Sequence, residues 1–163
     1  MSDAKKIMEM IKEHDITYVD LRFTDIAGKM QHVTQHIDTI DEDALTEGFM
    51  FDGSSIAGWK AINESDMTLM PDLYRAYIDP FFAQPTLALF CDVLEPSSGE
   101  AYDRDPRGTA KAALAHIESL GIADTAFFGP EAEFFIFEDV KIDVSMNRGL
   151  YSVDSVEGPY NSA

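Results

Sequence analysis

The run TLALFCDVL, Thr86 to Leu94, constrains this chain most, because it is almost wholly apolar, rich in β-forming residues and closed by the turn-prone EPSSGE. It predicts a strand. From Thr17 to Phe23, apolar Tyr18, Val19, Leu21 and Phe23 mix with Asp20 and Arg22, and the turn at Asp25 to Gly28 leads into KMQHVTQ, which predicts a strand hairpin. A further strand is predicted at Thr68 to Leu73. Two helices accompany them. Residues 2–14 place Ile7, Met8, Met10 and Ile11 on one stripe behind the possible caps Ser2 and Asp3, and residues 41–47 are stopped by Gly48. Between these elements, FDGSSIAGW has two Gly and two Ser in nine residues and no periodicity, so it reads as a loop. The sum is an α+β domain ending near Glu100.

A second unit opens at Tyr102. Asp105 fits an N-cap, Pro106 the first helical position and Gly121 the place just past the helix end; Ala110, Ala113, Leu114, Ile117 and Leu120 form the apolar stripe. After a turn at Ala123 and Asp124, residues 125–140 predict a long strand interrupted by Gly129 and Pro130. The polar run KIDVSMNRGLYSVDSVEGPYNSA then carries no tight stop. One helix and one strand are too few to bury their apolar faces, so the second unit is expected to be an incomplete domain.

Charge excludes several partners. With 12 Lys and Arg against 30 Asp and Glu, the net charge of −18 repels nucleic acid phosphates and anionic lipid headgroups. Neither nucleic acid nor membrane is an expected partner. Cys91, the single cysteine, forms no internal disulfide and sits in an apolar run as a small core residue, which suits a reducing cytoplasm. The opening MSDAKKIMEM has no long apolar stretch and no run of 18 apolar residues occurs, so a cytoplasmic location is expected.

Chemistry concentrates at Gly129 to Phe135, GPEAEFF. On a strand, Glu131 and Glu133 point to the same face with Cα atoms about 6.7 Å apart. Two adjacent carboxylates in an aromatic strand repel each other and are costly to bury unless a cation neutralises them, and hard divalent ions with oxygen ligands answer that need. Phe135 and Phe137 continue the same face and argue for enclosure. A solvated face is the bland alternative. A glycosidase-type acid pair, which needs roughly 5 to 9.5 Å between carboxyl groups, seldom comes from one strand. His32 and His36 on an extended strand lie about 13 Å apart and cannot share an ion. Neither a Walker-type phosphate loop nor a dinucleotide fingerprint is present.

Five segments together resemble the bacterial-type glutamine synthetases: YVDLRFTDIAGK (18–29), FDGSSIAGWKAINESDMTLMPD (51–72), YIDPFFAQPT (77–86), YDRDPRGTAK (102–111) and GPEAEFFIF (129–137). The resemblance spans essentially the whole chain. It implies an N-terminal helix (1–14), a β-grasp domain (15–100) and, at 101–163, the first helix and strand of a catalytic domain, so that the chain is the N-terminal portion of a longer subunit. It also implies ATP-dependent ligation of ammonia to L-glutamate through a γ-glutamyl phosphate, with two Mg²⁺ or Mn²⁺ ions per site. Residue by residue, Glu131 and Glu133 match metal ligands, one to each ion. Asp52 matches the catalytic loop aspartate that binds ammonium across a subunit interface and draws off its proton, Ser55 and Asp66 match its surroundings, and Trp59 matches a nucleotide-side interface position. Read without the resemblance, Asp52 is a turn cap, Asp66 a solvated acid and Trp59 a packed anchor. Family members assemble as homo-oligomeric rings, dodecamers, with active sites between subunits.

This sequence stops at Ala163, short of the family's other metal ligands, its glutamate-binding and phosphate-binding arginines and its regulatory tyrosine. Two carboxylates cannot complete either ion's coordination, so the isolated chain is expected to be inactive. The alternatives from other classes are a non-catalytic module that joins rings of a complete subunit, and an unrelated carboxylate hydrolase.

Overall fold

The computed structural model describes residues 3–158. Ser2, a candidate helix cap, and the last five residues lie outside that range. The chain divides into two compact units, one running to Ala126 and the other starting at Phe127.

The first unit is an α+β domain built on one sheet. Strands β1 (Tyr18–Thr24), β2 (Met30–His36), β3 (Phe49–Asp52), β4 (Asp66–Pro71) and β6 (Thr86–Leu94) lie in the order β2-β1-β6-β4-β3, and the two-residue β5 (Tyr77–Ile78) adds to β6. Among the described residues only β1 and β6 run parallel, and every other pairing is antiparallel. The apolar run that predicts a strand therefore becomes the middle strand, with Leu87, Ala88, Leu89, Cys91 and Val93 buried. Cys91 is core, and burial pushes its thiol pKa far up, so the sulfur stays protonated and inert.

Helix α1 (Asp3–Glu13) lays Ala4, Ile7 and Ile11 on the core, and α2 (Glu42–Glu47) adds Leu45. Asp41 caps α2 by accepting from the Ala44 amide at 2.7 Å. Gly48 ends it with φ 88°, and a Cβ there would stand 2.6 Å from Thr68 Cγ2 and 2.9 Å from the Leu69 carbonyl. Both the backbone angle and the nearness of β4 require glycine.

Across β1 and β2, Asp20 is nearly inaccessible at 1% exposure and holds the hairpin. It accepts from Arg22 Nε, from Thr34 Oγ1 and faces His32 Nδ1, each at 2.7 Å, while Arg22 also binds Asp79 at 2.6 Å and the Tyr77 hydroxyl. Burial alone raises the Asp20 pKa, yet the hydrogen bonds from Arg22, His32 and Thr34 outweigh it and hold the carboxyl below its ordinary value. His36 pairs instead with Asp38 at 3.2 Å, so the two histidines have separate carboxylate partners.

Helix α3 (Pro106–Ser119) begins as its sequence predicts: Asp105 caps it, Pro106 is in the first turn, and Gly121 follows with φ 66°. Asp105 is fully buried and does two jobs, accepting from the Arg107 amide at 3.0 Å and from the Val93 amide at 3.1 Å, which ties the helix start to β6. Arg107 and Lys111 reach back to Asp92, and Arg107 also to Asp72. The expected apolar stripe is uncovered among the described residues, with Leu114 and Leu120 exposed.

Three expectations are corrected. Phe51 and Asp52, assigned above to a loop, belong to β3, and Gly53–Ser55 form a 3-10 turn. The strand near residue 70 begins at Asp66 and ends at Pro71, two residues earlier than predicted at each end. The long strand at 125–140 does not form: residues 125–137 carry no regular structure, and the second unit has instead the antiparallel hairpin β7 (Asp139–Ser145) and β8 (Arg148–Asp154). Its register pairs Ser145 with Arg148, leaving Met146 and Asn147 as a tight turn.

Candidate functional site

The four residues of β3 point alternately inward and outward, so that Phe49 is buried, Met50 exposed and Phe51 set against Phe23 at 5.0 Å between ring centroids. The next residue, Asp52, therefore emerges at the sheet edge. It pairs in register with Asp66, the first residue of β4, and both are exposed. Like charges on directly opposed positions repel, so this edge favours a cation.

Gly53 turns the chain at that point. Its amide donates to the Ser65 carbonyl at 2.7 Å, and a Cβ would overlap the Met67 side chain, so only glycine lets the turn rest on β4. The turn aims three donors at Asp52. Oδ1 accepts from the Ser54 amide at 2.8 Å and from Ser54 Oγ at 2.6 Å, and Oδ2 accepts from Ser55 Oγ at 3.3 Å. The Ser54 hydroxyl first, then its amide and the Ser55 and Ser65 hydroxyls, hold the Asp52 carboxyl below the usual aspartate range. Asp52, Ser55 and Asp66 thus come together as one anionic edge. The turn-cap reading of Asp52 also holds, since the same carboxylate caps the 3-10 turn.

Trp59 lies elsewhere in the first unit. The ring is only 6% exposed and packs against Phe23, Phe51 and Tyr102 at 5.5, 6.2 and 5.3 Å. Arg104 donates to the Gly58 and Trp59 carbonyls, and Nε1 has no partner among the described residues. Such enclosure makes Trp59 the anchor of the loop between β3 and β4.

Glu131 and Glu133 belong to the second unit, both exposed and on no strand. The aromatic enclosure expected around them is absent among the described residues: Phe135 is 86% exposed, and its ring stacks with Phe137 at 6.1 Å. Two carboxylates supply the hard oxygen donors that Mg²⁺ or Mn²⁺ takes, yet no group of three or more potential ligands occurs among the described residues. The fit is one of donor type, with the coordination shell incomplete.

Sequence reasoning missed Ser54, which makes the two shortest contacts to Asp52. The signal was available in Asp-Gly-Ser-Ser, because an Asp whose side chain accepts from the amide two residues on is the standard Asx turn.

Comparison with known proteins decides the family. The family model described as glutamine synthetase, beta-Grasp domain, matches residues 15–96, and that described as glutamine synthetase, catalytic domain, matches residues 103–162. The chain belongs to the glutamine synthetase family. A glutamine synthetase of Azospirillum brasilense is 64% identical over 162 residues, covering 99% of this chain and 35% of that protein. One from Escherichia coli K12 is 52% identical over 160 residues, covering 98% of this chain and 34% of the relative. The chain thus spans about a third of the length of these glutamine synthetases. In fold, the Plasmodium falciparum glutamine synthetase solved by cryo-electron microscopy superposes with a TM-score of 0.73 at 23% identity, over 99% of this chain and 32% of that one. The β-grasp assignment agrees with the family match over residues 15–96, inside the first unit, and with the fold of that neighbour. Among the described residues no helix is long and apolar enough to cross a membrane.

Proposed function

We propose that this chain forms part of an ATP-dependent ligase that joins ammonia to L-glutamate through a γ-glutamyl phosphate, in a cytoplasmic ring of subunits. Family membership gives the reaction class. The observation that carries the reading to particular residues is the edge formed by Asp52 and Asp66, where an exposed, ionised carboxylate stands opposite a second acid with hydroxyl groups around it. That chemistry suits ammonium, a small cation with four donors and no need of a preformed cavity in this chain alone. Asp52 binds it and takes its proton, Ser55 and Asp66 complete the acceptor set, and the ammonia released attacks the acyl phosphate.

Such a reaction also needs the charge of ATP neutralised. Glu131 and Glu133 are the residues here that would hold Mg²⁺ or Mn²⁺, and the ions when bound supply electrostatic stabilisation of the transferred phosphoryl group. The family resemblance supports a site shared between subunits, in which Asp52 on the β-grasp domain (15–100) serves the site of a neighbour whose catalytic segment (101–163) supplies the two glutamates. Two ligand carboxylates do not complete a metal site, so these 163 residues by themselves do not turn over. Trp59 acts from the core, fixing the loop that faces the neighbour, and its nucleotide-side role is indirect.

The test uses a subunit of full family length carrying these residues. Asp52→Asn is expected to raise the KM for ammonium with the KM for ATP nearly unchanged, and Glu131→Gln or Glu133→Gln to weaken Mg²⁺ and Mn²⁺ titrations. Unaltered ammonium saturation in the first variant, or unaltered metal titrations in the others, removes the corresponding assignment.

A further inference from the structure

We infer that Ser54 is the positioning residue for the Asp52 carboxylate, fixing its plane and leaving one oxygen for the incoming cation; the inference rests on the reading of Asp52 above. The two carboxylate oxygens are unequally engaged. Oδ1 takes two donors from the single residue Ser54, the amide at 2.8 Å and the hydroxyl at 2.6 Å, whereas Oδ2 takes the longer Ser55 hydroxyl contact at 3.3 Å and the Ser65 hydroxyl is the weakest donor to the carboxyl. Two donors on one oxygen from one short turn restrict rotation of the carboxyl and leave Oδ2 the less encumbered oxygen. The Ser54 hydroxyl spends its proton on Asp52, so it orients the acid and is not a donor to the substrate.

What holds Ser54 in place is equally specific. Gly53 binds the Ser65 carbonyl at 2.7 Å and leaves no room for a side chain against Met67, which is fully buried in β4. The β4 backbone and the Met67 side chain are thus a fixed floor under the turn, and Ser54 transmits that rigidity to Asp52. Donation to the ionised form also keeps the acid charged where Asp66 opposes it across the strand pair. Asp52 is exposed, so its rotamer depends on these donors, of which Ser54 supplies the two shortest.

The experiment is a graded series in the full-length subunit: Ser54→Thr retains the hydroxyl, Ser54→Cys weakens the donor and Ser54→Ala removes it. Ammonium KM, ATP KM and the pH profile of kcat/KM for ammonium are measured for each, with Asp52→Asn alongside. Ser54→Ala is expected to raise the ammonium KM by about tenfold, the scale of a hydrogen bond to a charged group. ATP KM stays unchanged, the acid limb of the profile moves to higher pH because the carboxyl loses its strongest stabilising donor, Thr restores wild-type behaviour and Cys lies between. If Ala and Thr both match wild type while Asp52→Asn loses ammonium use, the role of Ser54 is wrong and that of Asp52 stands. Equal losses for ATP and ammonium, with Thr no better than Ala, also overturn it, since they indicate only a structural turn. If Asp52→Asn itself saturates normally with ammonium, the reading beneath the inference fails. Should Ser54→Ala not assemble, the ordering of Thr above Cys decides.

Discussion

At the scale of single residues, the same physical device serves stability and function: a carboxylate surrounded by nearby hydrogen-bond donors, from its own strand pair at Asp20 and from the turn beside its strand at Asp52. Asp20 is the stabilising case, bound by Arg22, Thr34 and His32 within a nearly closed site. Asp20→Asn keeps the shape but removes the charge that Arg22 faces, and Arg22 retains Asp79, so the expected loss is about 2 kcal/mol in urea denaturation at neutral pH. Because the Asp20 pKa is depressed in the fold, its contribution is fully present above the ordinary aspartate value of about 4 and disappears as the pH falls through the folded value. The difference between wild type and variant should therefore shrink at acid pH. A constant difference between neutral and acid pH would show that the charge of Asp20 is not what stabilises the hairpin. Asp52 is the functional case: its donors are as good, yet it stays exposed, so the ionised group is available to a ligand.

At the scale of elements, what was legible in the sequence depended on how local the determining physics is. Strand Thr86–Leu94 and the start of α3 appear where the sequence puts them, because β-forming side chains and the Asp-Pro cap act within a few residues. Asp105 was readable as a cap but not as the partner of the Val93 amide, twelve residues away, since that bond exists only once β6 and the helix start are packed together. Asp105→Ala should consequently cost more than an exposed cap, about 2 to 3 kcal/mol in thermal or chemical denaturation, because a buried amide loses its acceptor along with the helix start. A loss of half a kcal/mol or less would mean that the Val93 contact contributes nothing. The segment 125–137 illustrates the opposite limit. Its aromatic residues have strand propensity, but a strand exists only with a partner, and none pairs with it among the described residues. The β7–β8 hairpin was missed although Val140, Ile142 and Val144 alternate with Lys141, Asp143 and Ser145; reading the stretch for polarity hid its period of two. β3 was missed because four residues beside a Gly-Ser turn carry too little pattern.

At the scale of the whole molecule, the acids proposed for chemistry fall in different compact units, with Asp52 and Asp66 in the first and Glu131 and Glu133 in the second. The candidate residues were legible from the sequence mainly because long motifs resemble one family; propensity alone read Asp52 as a cap and Asp66 as a solvated acid. The structure adds that the register of β3 and β4 sets Asp52 directly opposite Asp66. The central claim is that a working site takes Asp52 from one subunit and the two glutamates from its neighbour, as a ring with heterologous interfaces allows.

The most direct measurement mixes full-length Asp52→Asn subunits with full-length Glu131→Gln subunits, dissociates and reassembles them together, and assays glutamine formation. At ammonium and metal concentrations that just saturate wild type, each variant alone is expected to be far less active, while a one-to-one hybrid should recover about a quarter of wild-type activity, the chance that an intact Asp52 and an intact Glu131 meet at one interface. A hybrid no more active than the two parents reassembled separately would place both residues in the same subunit's site and contradict the account.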